Sequence, residues 1–263
     1  VQFCLQASTT LCSQARGAGE DKKVGQWLQT SLFIGALGCL PVMAIFWNIH
    51  YMVGLTMADV DTVNFSKDFS RMMMWSIPPQ FAYVALTSFF ATIDVVMPAT
   101  FCTCITVICN VVFNYVFIYG YDSNNNTIIP ALGFVGSPLA TVTSSFLHLA
   151  MFVTYCVFIK GYHKKYWPGW KKEAIQTSTV RTFMALGLPI GLSSVVDWAS
   201  GAVAGSFSGW CGFEIAAAQN VLNGLFAITY STVSGFSTAT QIRLARYLGE
   251  GKPDSAKRIL KIG

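Results

Sequence analysis

The sequence predicts an all-α membrane protein, a polytopic helix bundle in two lobes related by an internal repeat, on three observations. The first is composition: 53% of residues are hydrophobic, 14% aromatic and only 11% charged, with a mean hydropathy of +0.51, against about 25% charged in soluble domains. The second is a series of six apolar runs near the roughly 20 residues a helix needs to cross a bilayer. The third is a repeat. Ala15-Arg16-Gly17-Ala18-Gly19-Glu20-Asp21-Lys22 and Ala245-Arg246-Tyr247-Leu248-Gly249-Glu250-Gly251-Lys252 agree at five of eight positions at an offset of 230 residues, Ala15 to Ala245. Each copy closes an apolar run and opens a basic loop, and duplication on this scale in a membrane protein builds two-lobed transporters around a shared path. The competing reading is a chance likeness of two helix C-terminal loops, where Ala, Arg, Gly and Lys are all common. Because the chain opens on Val1 within the helix before the first copy and stops just past the second, the expectation is an incomplete chain.

In order, the elements are a partial helix ending near Thr10, then spans near Leu28 to Tyr51, Met72 to Phe90, Val95 to Tyr119, Ala131 to Ile159, Thr182 to Phe207 and Ile215 to Ala239. Lys and Arg gather in the first loop (Arg16, Lys22, Lys23), between the fourth and fifth spans (Lys160 to Lys172) and after the last (Arg243 to Lys261). The positive-inside bias makes those regions cytoplasmic. The intervening loops, His50 to Arg71 and Gly120 to Pro130, then lie outside, where the acids Asp59, Asp61, Asp68 and Asp122 and the sequons at Asn64 and Asn125 fall. The sequons fit a eukaryotic source and a plasma or organelle (vacuolar) membrane. The net charge of +5 calls for no nucleic acid, since the base sits beside an anionic leaflet. Pro189, Pro41 and the pair Pro78-Pro79 predict broken or kinked spans, because proline removes a helical hydrogen bond. Asp94, in the hinge Ala91 to Pro98, reads as a helix N-cap. Trp47, Trp75, Trp167, Trp170 and Trp210, near span ends, read as interfacial belt.

Metal and enzyme chemistry find little support. Cys39, Cys102, Cys104, Cys109 and Cys156 lie within apolar spans, no CxxC pair occurs, and His50, His148 and His163 form no ligand pairs. His148 reads as interhelical packing, with a proton relay as the alternative. A membrane enzyme would need a clustered acid, base or metal site; the sequence offers none, and the expectation is that no cofactor is used.

One carboxylate stands at depth: Asp197, in Leu188-Pro189-Ile190-Gly191-Leu192-Ser193-Ser194-Val195-Val196-Asp197-Trp198. Such a group costs about 2.5 to 3.5 kcal/mol in hydrocarbon, so it faces a wet cavity or a partner. Burial favours the neutral carboxyl and a bound cation the ionised one, so a carboxylate so placed can exchange a proton for a cation. The alternative is an Asp held by Ser193, Ser194 or Ser200. Trp198 can meet a cationic ring through its face or simply pack. Gln219, Asn220 and Asn223 in the last span, and Asn114 with Asn110, are equally substrate-path donors or interhelical glue.

Taken in sequence, several stretches resemble one family. Thr10-Leu11-Cys12-Ser13-Gln14-Ala15-Arg16-Gly17-Ala18-Gly19, with Gln14, Gly17 and Gly19 as its signature positions, is similar to the string after the second helix of the multidrug and toxin extrusion (MATE) family of the MOP flippase superfamily. Pro98, Asn114-Tyr115, the run Leu132 to Thr141 and Arg243-Leu244-Ala245 resemble later landmarks of that family in order. The resemblance implies a partial MATE fold, helices 2 to 8 of 12, with an N-terminal lobe over 1–165 (partial, helices 2–6) and the start of a C-terminal lobe over 166–263 (helices 7–8). It also implies export of organic cations, drugs, toxins or secondary metabolites by a monomer in exchange for H+ or Na+. Asp197 occupies the place of the family's acidic residue in the seventh helix, often Glu. Departures are Thr9 where the second helix usually has Asp, Phe90-Ala91-Thr92-Ile93 for a Gln-rich segment, and Ala202 at a second acidic position. Two alternatives stay open: a truncated fragment that does not transport, and a sister flippase of lipid-linked sugars.

Overall fold

A computed structural model describes residues 7–56, 60–123 and 126–262; Asp59 and the sequon residue Asn125 lie outside them. The leading helix does not stop near Thr10. It runs over Ala7–Gly17 as α1, because Leu11, Cys12, Ser13 and Ala15 keep a buried face well past that point. Helix α2 follows over Asp21–Thr56 with Pro41 inside it. The expected outside loop up to Arg71 is instead mostly helical. Helix α3, Val60–Met73, forms there because Phe65 and Phe69, one turn apart, both reach the ring of Phe134, at 5.3 and 5.6 Å.

A 3₁₀ turn, Met74–Ser76, separates α3 from α4, Ile77–Thr92. Pro78 and Pro79 stand in the first turn of α4, where no amide donor is needed, so they begin a helix rather than kink one. Pro98 does the same for α5, Met97–Tyr119. The N-cap residue of α5 is Val96, with no side-chain cap bond; Asp94, with φ of 65°, turns the chain in the left-handed region, which corrects its expected capping role. A two-stranded antiparallel hairpin, β1 (Tyr121–Ser123) and β2 (Asn126–Ile129), fills the next connection. Then come α6, Gly136–Val153, a π-helical turn over Thr154–Ile159, α7, Thr177–Trp210, running through Pro189, α8, Phe213–Gly249, and α9, Pro253–Ile262.

Among the described residues, four helical stretches are long and apolar enough to cross a membrane: Asp21–Gly54, Met97–Tyr119, Gly133–Ile159 and Thr177–Ser208. The other two expected spans are helical as well: the end of α3, the 3₁₀ turn and α4 run through Met72 to Phe90, and α8 covers Ile215 to Ala239 at a lower hydropathy because of Gln219, Asn220, Asn223 and its Ser and Thr residues.

The chain forms two compact units, Ser31–Trp167 and the segments on either side of it. In the first, Phe89, Phe90 and Phe152 are fully buried and meet edge to face at 5.0 and 5.4 Å. Tyr83 lies 3.9 Å from the His148 ring, and His148 Nε2 is 3.3 Å from Thr103 Oγ1, so one polar group ties α4, α5 and α6 together.

In the second unit α1 crosses α8. A Cβ on Gly17 would overlap the carbonyl oxygen of Arg246, and one on Gly249 would overlap that of Gln14. Adding 232 to 17 and 14 gives 249 and 246, so the two contacts exchange under one shift, as about a local two-fold axis. Both helices also end in the same Schellman motif. Glu20 N donates to Ala15 O and Lys252 N to Tyr247 O, each at 3.0 Å, while Gly19 and Gly251 take φ of 77° and 70°. The next helices start at Asp21 and Pro253, again 232 apart. The repeat is therefore structural, but its register is 232, and the five identities at 230 are out of step by two residues.

Candidate functional site

Helices α7 and α8 form a hairpin joined by Cys211 and Gly212, whose φ of 118° makes the turn. Asp197 lies in the middle of α7, far from the charged ends where a helix usually keeps its acids. At about 1.5 Å per residue counted from the turn, Asn223 falls within roughly one helical turn of the level of Asp197, and Gln219 about two turns nearer the connection. Asp197, Trp198, Asn220 and Asn223 are all exposed on this unit, Trp198 at 72%. The structure thus brings the α7 and α8 candidates onto one hairpin, and among the described residues no hydrogen bond joins an α7 candidate to an α8 one.

The serines near the acid look elsewhere. Ser200 Oγ donates to the backbone carbonyl of Asp197 at 2.7 Å, and Ser194 Oγ to that of Ile190 at 3.0 Å. Among the described residues the Asp197 carboxylate has no hydrogen bond or ion pair. On α8, Gln219 Nε2 donates to Asn223 Oδ1 at 3.2 Å, so the i,i+4 pair is formed on one helix face. Asn114 belongs to the other unit. Its amide nitrogen donates to the carbonyl of Asn110 at 2.9 Å and to Asn110 Oδ1 at 3.2 Å, while Asn110 Nδ2 donates to Ser144 Oγ at 3.0 Å. This network joins α5 to α6.

The signature residues of the first motif occupy the α1–α8 crossing. Gly17 gives the close approach, Gly19 the left-handed turn, and the Gln14 carbonyl receives Gly249. Gln241 Nε2 donates to Thr10 Oγ1 at 2.8 Å one level further along, and Arg243, two residues on, is exposed. A cleft of about 400 Å³ opens beside this crossing, with Gln14, Glu20, Trp27 and Thr182 among its walls. Sequence reasoning missed Gln29. It is 2% exposed, donates from Nε2 to Gly169 O at 2.7 Å and accepts from Lys171 N at 2.9 Å, clamping the segment before α7 as a paired strand would. Its signal was a polar residue at the start of an apolar span. Among the described residues no group of His, Cys, Asp and Glu is placed to hold a metal ion.

The sequence profile of the MatE family matches residues 2–116 and 189–263. The chain belongs to the MatE family. Multidrug and toxin extrusion protein 1 of Mus musculus is 30% identical over 252 residues, 96% of this chain and 42% of that protein. The Homo sapiens protein of that name is 27% identical over the same share of each. The chain thus spans about two fifths of the length of the curated relatives it matches. A crystal structure of the eukaryotic MATE transporter AtDTX14 superposes with a TM-score of 0.84 at 19% identity, covering 99% of this chain and 56% of that one. An outward-facing conformation of a multidrug resistance MATE family transporter of the MOP superfamily gives 0.73 at 14% identity. The fold of this MatE chain is accordingly a partial MATE fold, and its family is one of membrane transporters rather than enzymes.

Proposed function

We propose that the protein containing this chain is a secondary active antiporter that exports organic cations, drugs, toxins or secondary metabolites against entry of H+ or Na+. In this reading residues 1–165 belong to its N-terminal lobe and 166–263 open its C-terminal lobe. Asp197 is the exchange group: a cationic substrate and the coupling ion compete for its carboxylate, and the two lobes alternate access to it. Trp198, Gln219, Asn220 and Asn223 line the substrate path beside it, and Asn114 is assigned to the substrate path as well. The observation that carries the reading is that, among the described residues, Asp197 is the only carboxylate in the interior of a helix able to span a membrane, where a charge is kept for function. The family membership and the names of its relatives support the direction of transport and the substrate class. No cofactor is needed, since the ion gradient supplies the driving force.

The test is ion-driven uptake of a fluorescent organic cation into everted vesicles carrying the full-length protein. Asp197→Asn should abolish gradient-dependent uptake at unchanged protein level, and Asp197→Glu should retain it. Full transport by the Asn variant would sink the assignment.

A further inference from the structure

Arg71, near the end of α3, has no part in the exchange site. Its guanidinium carbon lies 4.2 Å from the centroid of the Trp47 ring, and its Nε is shut off from solvent without a hydrogen-bond partner. Among the described residues the side chain makes no hydrogen bond or ion pair. It lines a cleft of about 350 Å³ whose other walls include Trp47, Trp75, Met72 and Val135, with Asp68 also on the lining.

We propose that this cleft binds the phosphodiester headgroup of a membrane lipid in the leaflet opposite the basic loops. Three features of the cleft and its helix support it. The Arg71 guanidinium carbon sits over the Trp47 indole, and with Nε enclosed its terminal N–H groups are the ones offered to a pair of oxygens, the bidentate pairing that phosphate fits. Trp47 and Trp75 are 47% and 52% exposed, the amphipathic residue type enriched at membrane interfaces, and Met72 and Val135 give an apolar wall for the glycerol and upper acyl carbons. Trp47 stands roughly 39 Å along α2 from its start at Asp21, at about 1.5 Å per residue, which places it at the far face of the bilayer from the Arg16–Lys23 loop. Asp68 in the same cleft discriminates further. It repels a doubly charged phosphate monoester more than a singly charged diester, so the occupant is a diester.

The whole protein, purified in detergent and stripped of lipid, is titrated with phosphatidylglycerol and the adducts are counted by native mass spectrometry, with diacylglycerol and inorganic phosphate as separate probes. Phosphatidylglycerol should bind and diacylglycerol should not. Arg71→Gln should weaken the lipid about tenfold, the effect of losing a charge-assisted pair, and Arg71→Lys should weaken it less. Asp68→Asn should bind severalfold tighter, a gain that misfolding cannot imitate. The proposal is overturned if Arg71→Gln and Asp68→Asn both bind as the parent does, if diacylglycerol is retained equally, or if inorganic phosphate displaces the lipid, which would make this a site for a free anion.

Discussion

His163 shows how one side chain couples the chain to pH. It lies in the turn after the π-helical segment, its Nδ1 buried without a partner, and burial, followed by the neighbouring Lys164 ammonium, holds its pKa below the usual histidine value. A group whose folded pKa is depressed binds fewer protons folded than unfolded, so stability rises with pH across that interval. The contribution is present above the unfolded value of about 6.5 and is lost as pH falls toward the folded one. Thermal unfolding at pH 7.5 and 5.5 should therefore show a smaller acid-induced drop for His163→Gln than for the parent. An equal drop would remove His163 from the account. Gly17 and Gly249 are residue-scale features of another kind, since each sits on a backbone carbonyl that cannot rotate away. Gly17→Ala and Gly249→Ala should each cost about 1 to 3 kcal/mol as overpacking, and by the local two-fold the two losses should be similar in chemical denaturation.

At the scale of elements, the segment before α7 is held by α2. Gln29 satisfies both Gly169 O and Lys171 N, and Thr30 Oγ1 donates to Ala174 O at 2.8 Å. Gln29→Ala would remove two part-buried hydrogen bonds, each worth about 0.5 to 1.5 kcal/mol, so a loss of about 1 to 3 kcal/mol is expected. Gln29→Glu should be no better, because a carboxylate oxygen would face the Gly169 carbonyl. Hydrogen exchange at the Lys171 amide is the direct readout, and unchanged protection in Gln29→Ala would contradict the clamp. Several elements were legible in the sequence because long apolar runs have one solution in lipid, a helix with its backbone bonds closed internally. Helix α3 was not: its Lys67, Asp68 and Arg71 read as loop, and its helicity rests on a tertiary partner, Phe134, that periodicity cannot supply. Pro78 and Pro79 misled for a related reason, since whether a proline starts or breaks a helix depends on where the preceding helix ends, whereas Pro41 and Pro189 lie inside helices as expected.

For the whole molecule, composition was enough to identify the solvent and the repeat enough to identify the duplication, yet the identities pointed to the wrong register. The cause is physical. What the crossing and the Schellman turns require is glycine at two places two residues apart, Gly17 and Gly19 in one copy, Gly249 and Gly251 in the other, while Ala, Arg, Glu and Lys around them are free to drift. At the candidate site the sequence offered Asp197, Trp198, Gln219, Asn220 and Asn223, while the two-residue turn, Cys211 and Gly212, that sets α7 and α8 side by side was not announced. The orientation of the helices is testable at this scale. Single cysteines placed at Lys22, Lys164 and Lys252 should react with a membrane-impermeant maleimide from one side of the bilayer, and a cysteine at Lys67 from the other. Labelling of Lys67 and Lys164 positions from the same side would overturn the assigned topology.

The proposed competition of substrate cation and coupling ion for Asp197 calls first for the affinity of the full-length protein for an organic cation, measured as a function of pH and of Na+ concentration. Affinity should fall as either H+ or Na+ rises, approaching tenfold per tenfold rise once the carboxylate is saturated, and Asp197→Asn should bind weakly with neither dependence. An Asn variant that keeps the parent's ion dependence would contradict it.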